Sequence, residues 1–311
     1  MMKKGEKVGK AQFKTADRKQ KPFMEVVEEY TEICKRKSLS KYTIQGYRYV
    51  GGYFNNFNES NLISANSIID YIDYLQSKET KWTTINSYVR KLTPIFNYAN
   101  DMGYYPKVKV IDVKGQKEIK EVYNDDELML LLEKPKTKDF RNIRNWVMTW
   151  VFISTGIRRS ELLNLKVGNV NLIERTLLLS KTKNKKARYV PVSSSLFEVL
   201  DEYLQIRNGE NDDYLFPTVY NTQMSTSTIN KELELYNLSR NVLKTGIHKY
   251  RHTFITTAVN ENVNILLLKK ITGHESTNVL NGYYNSKVKD TLEIIDSIAP
   301  KSKNKKNKFK K

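Results

Sequence analysis

The chain of 311 residues has one cysteine, Cys34, and only three histidines. A lone cysteine excludes an internal disulfide framework and fits a reducing compartment. So few thiols and imidazoles argue against a zinc site. No apolar run reaches the roughly 18 residues that a membrane span needs. The N-terminus is basic but carries no hydrophobic segment of the signal-peptide kind. These absences lead to the expectation of a cytoplasmic protein with no metal and no membrane partner.

What the chain has in excess is positive charge, a formal +19. It is unevenly placed. Residues 1–21 hold eight basic side chains against Glu6 and Asp17, and residues 301–311, "KSKNKKNKFKK", hold seven lysines. Basic tails attract polyanions, but charge alone does not separate DNA, RNA and an acidic membrane.

The length allows two domains. Helical spacing of Phe23, Val26, Val27, Tyr30 and Ile33 starts a first unit, expected over residues 22–105. Further helices are expected near Ser40, across Ile68 to Leu75, and from Ile85 to Ala99, the last kinked by Pro94 and ended by Gly103. Residues 106–121, "PKVKVIDVKGQKEIKE", read as a linker. A second domain, residues 122–300, opens on Asn124 and Glu127 at capping-box spacing. It continues as an apolar helix through "IRNWVMTWVFIS". Three strand-like runs follow, "VNLI", "TLLLS" and "RYVPV", and then helices resume from Ser194. The expected fold is mainly α: four small helices, then a mostly helical domain with one small antiparallel sheet.

Chemistry concentrates in four stretches: "STGIRRSELLNL", "SKTKNKKARYVPV", "GIHKYRHTFI" and "GHESTNVLNGYY". If they converge, the site would hold two arginines, a lysine, two or three of the histidines and a tyrosine, with no obvious carboxylate pair. Arginine matches phosphate oxygens bidentately. Histidine moves protons near neutral pH. Lysine can protonate a leaving alkoxide, and tyrosine can be a covalent nucleophile. Taken singly each has a plain structural reading. Arg158 and Arg159 beside Glu161 could be a helix-start ion-pair cluster, and the lysines a solvated hairpin tip. In the N-terminal unit, Thr43, Tyr47, Arg48, Lys81, Thr84, Asn86 and Arg90 lie at or near helix starts and are candidates for DNA contacts.

The ordered set resembles the tyrosine recombinase (phage integrase) family. "TGIRRSELLNL" is similar to its Thr-Gly-Leu-Arg-x-Ser-Glu-Leu box, and "IHKYRHTFIT" to its His-x-Leu-Arg-His-Thr-Phe box. "TGHESTNVLNGYY" is similar to its Leu-Gly-His element followed nine residues later by tyrosine. "DDYLFP" between the boxes is also typical. Two residues depart: Tyr250 and Thr272 stand where the family has leucine, and both read as packing positions.

The resemblance implies a SAM-like core-binding domain followed by a catalytic domain. It also implies roles. Arg158 and Arg251 would clamp the scissile phosphate. His248 would be general acid/base, and His274 would hydrogen-bond a phosphate oxygen. Lys183, or alternatively Lys181, would protonate the leaving 5′-oxygen. Tyr283, with Tyr284 as the alternative, would form a 3′-phosphotyrosyl link. Glu161 and His252 would support them from behind. Because that link conserves the phosphodiester's energy, no cofactor is required.

The implied activity is site-specific recombination of double-stranded DNA clamped between two domains. It would proceed through a Holliday junction, by a homotetramer on paired sites, with accessory proteins as optional partners. A C-terminal helix over "NSKVKDTLEIIDSIA" would pack on a neighbouring subunit. With about 21 residues before the first helix, below the roughly 40 a domain needs, the expectation is a simple Xer-like, inversion or transposition recombinase. The alternatives are an integrase of a phage or mobile element, a related enzyme that relaxes supercoils or resolves hairpin ends, and a catalytically silent DNA-binding protein of the same fold.

Overall fold

The structure is a computed structural model that describes residues 20–60, 62–116, 121–180, 187–274, 276, 277 and 280. It forms two compact units that divide between residues 118 and 119. The observed class is the expected one: mainly helical, with one small antiparallel sheet.

The first unit contains α1 (Phe23–Arg36), α2 (Lys41–Phe57), α3 (Ser67–Ser77) and α4 (Trp82–Asp101). The Ser40 hydroxyl caps α2 by accepting from the Thr43 backbone N–H, 3.1 Å away. The apolar stripes of the four helices meet in an aromatic core of Phe23, Phe54, Tyr71 and Phe96, with Val26, Val89 and Leu92 around them. Burying each such side chain is worth about 1.5–3 kcal/mol. Helix α4 runs unbroken past Pro94 to Asp101.

The stretch read as a linker is hydrogen-bonded over much of its length. The Lys109 N–H donates to the Ala65 carbonyl at 2.8 Å. The Asn86 side chain donates to the Val113 carbonyl and accepts from its N–H, both at 2.9 Å. Extended residues after Pro106 thus belong to the first unit. Glu121 and Tyr123 are held by the second unit instead: Glu121 pairs with Lys249, and the Tyr123 N–H donates to Thr253 Oγ1.

The second unit contains α5 (Asp125–Leu132), α6 (Phe140–Thr155), α7 (Arg159–Leu162), β1 (Val170–Asn171), β2 (Thr176–Leu179), β3 (Arg188–Pro191), α8 (Ser194–Arg207), α9 (Thr226–Ser239), α10 (Ile247–Asn260) and α11 (Ile265–Thr272). The capping box of Asn124 and Glu127 is formed. Helix α6 is the central element. Its Val147, Met148, Val151 and Phe152 are fully buried in the core shared with Leu200, Leu233 and Tyr250. Strands β1, β2 and β3 pair in that order, antiparallel, with Leu179 opposite Arg188. Strand β1 is only two residues long, shorter than "VNLI" suggested.

Two helix ends position the site. Helix α6 stops at Gly156 (φ +58°), and a Cβ there would come within 2.3 Å of the Phe254 ring. Helix α11 stops at Gly273 (φ +68°), where a Cβ would lie 2.7 Å from the Arg188 guanidinium. Only glycine meets both the left-handed backbone and the close approach.

Candidate active site

Arg158 is the N-cap of α7, placed there because α6 ends sharply at Gly156. Its backbone N–H donates to Glu161 Oε2 at 2.7 Å and its Nη1 to Glu161 Oε1 at 3.0 Å. Its Nη2 donates to the Gly273 carbonyl at 2.5 Å. Arg251 projects from α10 and is buried. It donates through Nη1 to the Gly156 carbonyl and through Nη2 to the Thr272 carbonyl, 2.9 Å away. The His274 Nε2 lies 3.0 Å from the same Nη2.

A third arginine joins them. Arg188, at the start of β3, donates through Nε to the Ile271 carbonyl at 3.0 Å, and Nη2 lies 3.3 Å from the Thr272 carbonyl. The last turn of α11 therefore receives guanidinium groups from three separate elements. A helix C-terminus has unpaired carbonyls and a partial negative charge, so cations suit it. The turn is thereby fixed, and with it His274.

Glu161 is the only carboxylate among these partners. It is 2% exposed and accepts two bonds from Arg188 besides those from Arg158. Burial pushes its carboxyl up, but the hydrogen bond from Arg188, the Arg158 N–H and the two positive charges outweigh that and hold it below its ordinary value. Among the described residues, three guanidinium groups and one carboxylate converge here, a surplus of positive charge. That surplus is what an anion site requires.

His248 lies on an exposed part of α10. Partial burial, then the charges of Arg159 and Arg251, hold its imidazole below the ordinary 6.5, so the neutral base is favoured. His252 is half-buried on the same helix. Arg159 turns away to Asn230 at 3.0 Å. Lys181, Lys183, Tyr283 and Tyr284 lie outside the described residues, as do both basic tails and the expected C-terminal helix. Among the described residues, no group of three or more His, Cys, Asp or Glu side chains could hold a metal ion. No described helix is long and apolar enough to cross a membrane.

Two packing positions do more than pack. Tyr250 and Thr272 are buried as packing positions should be, at 1% and 0% exposure, but both also work through their hydroxyl groups. Tyr250 donates to Asn237 Oδ1, whose amide nitrogen in turn donates to Tyr123 Oη at 2.9 Å. Thr272 Oγ1 lies 2.7 Å from His274 Nδ1.

In the first unit, Asn86 is corrected. It is 5% exposed, and both halves of its amide are taken by Val113, so its side chain serves the fold. Arg48 is paired with Glu28, and Tyr47 packs edge-on against Tyr30. Thr43, Lys81 and Arg90 are on the surface, and Thr84 is half-buried. Arg188 escaped the sequence reading. Its signal was a basic residue beginning the strand after the lysine turn, but its partners lie 27 and 83 positions away.

The family model of the phage integrase family matches residues 121–290, and that of the phage integrase SAM-like domain matches residues 22–113. The tyrosine recombinase XerC of Thermodesulfovibrio yellowstonii is 27% identical, over 87% of this chain and 94% of the relative. The tyrosine recombinase XerD of Staphylococcus aureus is 24% identical, over 89% and 99%. Among solved structures, the Tn1549 transposon integrase in complex with transposon right end DNA has a TM-score of 0.77 at 15% identity, covering 90% of this chain and all of that one. The XerH site-specific recombinase bound to its difH substrate has a TM-score of 0.69 at 22% identity, over 88% of this chain and 84% of that one. The chain belongs to the phage integrase family and is a site-specific tyrosine recombinase, an enzyme that cuts and rejoins DNA strands.

Proposed function

We infer that the cluster around α11 binds the scissile phosphate, and that the enzyme exchanges strands through a 3′-phosphotyrosyl intermediate. The observation that carries this reading is the convergence of Arg158, Arg251 and His274, from three distant stretches, on one turn with surplus positive charge. Arg158 and Arg251 would neutralise the phosphate oxygens, with Glu161 and Arg188 holding Arg158 and the α11 turn in place. Charge preorganised in this way commonly supplies most of an enzyme's transition-state stabilisation.

In the proposed step the Tyr283 oxygen attacks phosphorus and its proton passes to His248. The bond from phosphorus to the 5′-oxygen breaks, and Lys183 protonates that oxygen. Religation reverses these transfers with a new 5′-hydroxyl. His274 hydrogen-bonds a phosphate oxygen, and His252 supports α10. In the first unit Thr43, Lys81, Thr84 and Arg90 are proposed to touch DNA, joined by Arg48 and Tyr47 if their present partners yield.

The working form proposed is a tetramer on two paired DNA sites, passing through a Holliday junction in the cytoplasm. Xer recombinases match this chain over nearly their whole length, which favours an Xer-like simple recombinase. The fold's likeness to a transposon integrase keeps integration of a mobile element as the second reading.

The test is a plasmid carrying two copies of a duplex selected from a randomised pool for binding to the full chain. Recombination predicts products of changed linkage and four-way junctions on the way. A change of superhelicity alone would mean a relaxing enzyme, and an unchanged plasmid a silent DNA-binding protein.

A further inference from the structure

Thr272 Oγ1 has two close neighbours. It lies 2.6 Å from the Leu268 carbonyl one turn earlier in α11, and 2.7 Å from His274 Nδ1. A hydroxyl has one proton to give. The carbonyl oxygen can only accept, so the proton goes there. Otherwise two lone-pair oxygens would face each other at 2.6 Å with nothing between them. Toward the imidazole the hydroxyl must then accept, and Nδ1 must carry a hydrogen. Arg251 Nη2, a group that can only donate, lies 3.0 Å from Nε2 and 3.4 Å from Nδ1, nearer the nitrogen that this arrangement leaves bare. The Thr272 hydroxyl is thus what selects the tautomer.

We propose that Thr272 is a positioning residue that holds His274 in the Nδ1–H tautomer, leaving Nε2 without a hydrogen when the ring is neutral. Arg251 from α10 contacts the imidazole. Arg158 at the start of α7 and Arg188 from β3 bind the backbone carbonyls just before it. His274 can give a hydrogen bond from Nε2 to a phosphate oxygen only after taking up a proton. Leucine at position 272 would leave the tautomer unset. The phosphate contact rests on the proposed function, whereas the tautomer does not.

The three histidines make the claim directly readable. The full chain is labelled with 15N-histidine, and two-bond 1H–15N spectra are recorded without DNA at about pH 8, above the ordinary imidazole value of about 6.5. His274 is assigned by its loss in His274→Gln. The expected spectrum has a protonated Nδ1 and a bare Nε2, kept in Thr272→Ser and lost in Thr272→Val. Thr272→Val should also cleave a nicked substrate more slowly at unchanged DNA binding, because the imidazolium that reaches the phosphate loses the acceptor for its Nδ1–H. Thr272→Ser should restore cleavage. A protonated Nε2 with a bare Nδ1 in the wild type overturns the proposal, as does an unchanged tautomer in folded Thr272→Val. The spectra answer even if no variant cleaves DNA, so a failure of the tautomer is told apart from a failure of the recombinase reading.

Discussion

Arg188 and Glu161 face each other across two hydrogen bonds of 2.7 and 2.9 Å, joining the first residue of β3 to the single turn of α7. Neither group reaches the solvent easily: their side chains are 14% and 0% exposed. The pair connects the sheet, α7 and the end of α11 in one network. Removing one partner of a buried ion pair costs about 3–5 kcal/mol, because the other charge is stranded. Arg158 remains to Glu161, so Arg188→Ala should fall at or below the lower end. Chemical denaturation should show the loss, and DNA cleavage should fall further than DNA binding. Wild-type cleavage in Arg188→Ala would remove this residue from the site's support.

The pH dependence follows from two shifted groups. Glu161 is held below the ordinary 4.5, so the unfolded chain binds its proton first. Its contribution is whole above pH 4.5 and is lost as pH falls through the lowered value. His248 is held below 6.5, so stability also declines as pH drops below 6.5 and the unfolded imidazole charges. Cleavage, if His248 is the base, should stay flat near pH 7 and fall on the acid side of 6.5. Denaturation midpoints against pH should lose the step below pH 4.5 in Glu161→Gln. An acid limb of cleavage that survives in His248→Ala would assign it elsewhere.

Asn86 and Arg90 lie one helical turn apart in α4 and should behave oppositely. Asn86→Ala breaks both bonds to Val113 and leaves half-buried backbone groups unpaired, a loss of about 1–3 kcal/mol each at most. It should lower the melting temperature and leave DNA affinity of the folded protein unchanged. Arg90→Ala should do the reverse, and its binding should depend less steeply on salt because one phosphate contact is gone. An equal salt slope in Arg90→Ala would take it off the DNA.

How much the sequence disclosed depends on the range of each contact. Arg158, Arg251 and His274 sit in boxes whose order can be read along the chain, and Ser40 and Asn124 reveal helix starts through local hydrogen bonds. The bond from Arg188 to Glu161 spans 27 positions and that to Ile271 spans 83. No local pattern signals either. The same holds for Asn86 and Val113, which turned a polar linker into part of the first unit. Thr272 was visible as a departure, but its hydroxyl acquires meaning only once α11 brings Leu268 and His274 to its two sides.

The leaving-group proton distinguishes Lys183 from Lys181. A 5′-bridging phosphorothioate leaves without protonation. It should rescue the cleavage defect of Lys183→Ala and have no defect to rescue in Lys181→Ala. The reverse pattern would give the role to Lys181.

The central claim is a covalent link between DNA and one particular tyrosine. A free phenol has a pKa of about 10 and needs a base and nearby cations to attack at neutral pH. Adjacent side chains point in different directions, about 100° apart where the chain is helical, so only one of Tyr283 and Tyr284 is expected to aim at the phosphate. The direct measurement is to trap the enzyme on a nicked suicide substrate, digest it and locate the nucleotide-bearing peptide by mass spectrometry. The account predicts a phosphotyrosyl link at Tyr283, absent in Tyr283→Phe and present in Tyr284→Phe. A link at Tyr284, or no adduct on DNA that the enzyme binds, would contradict it.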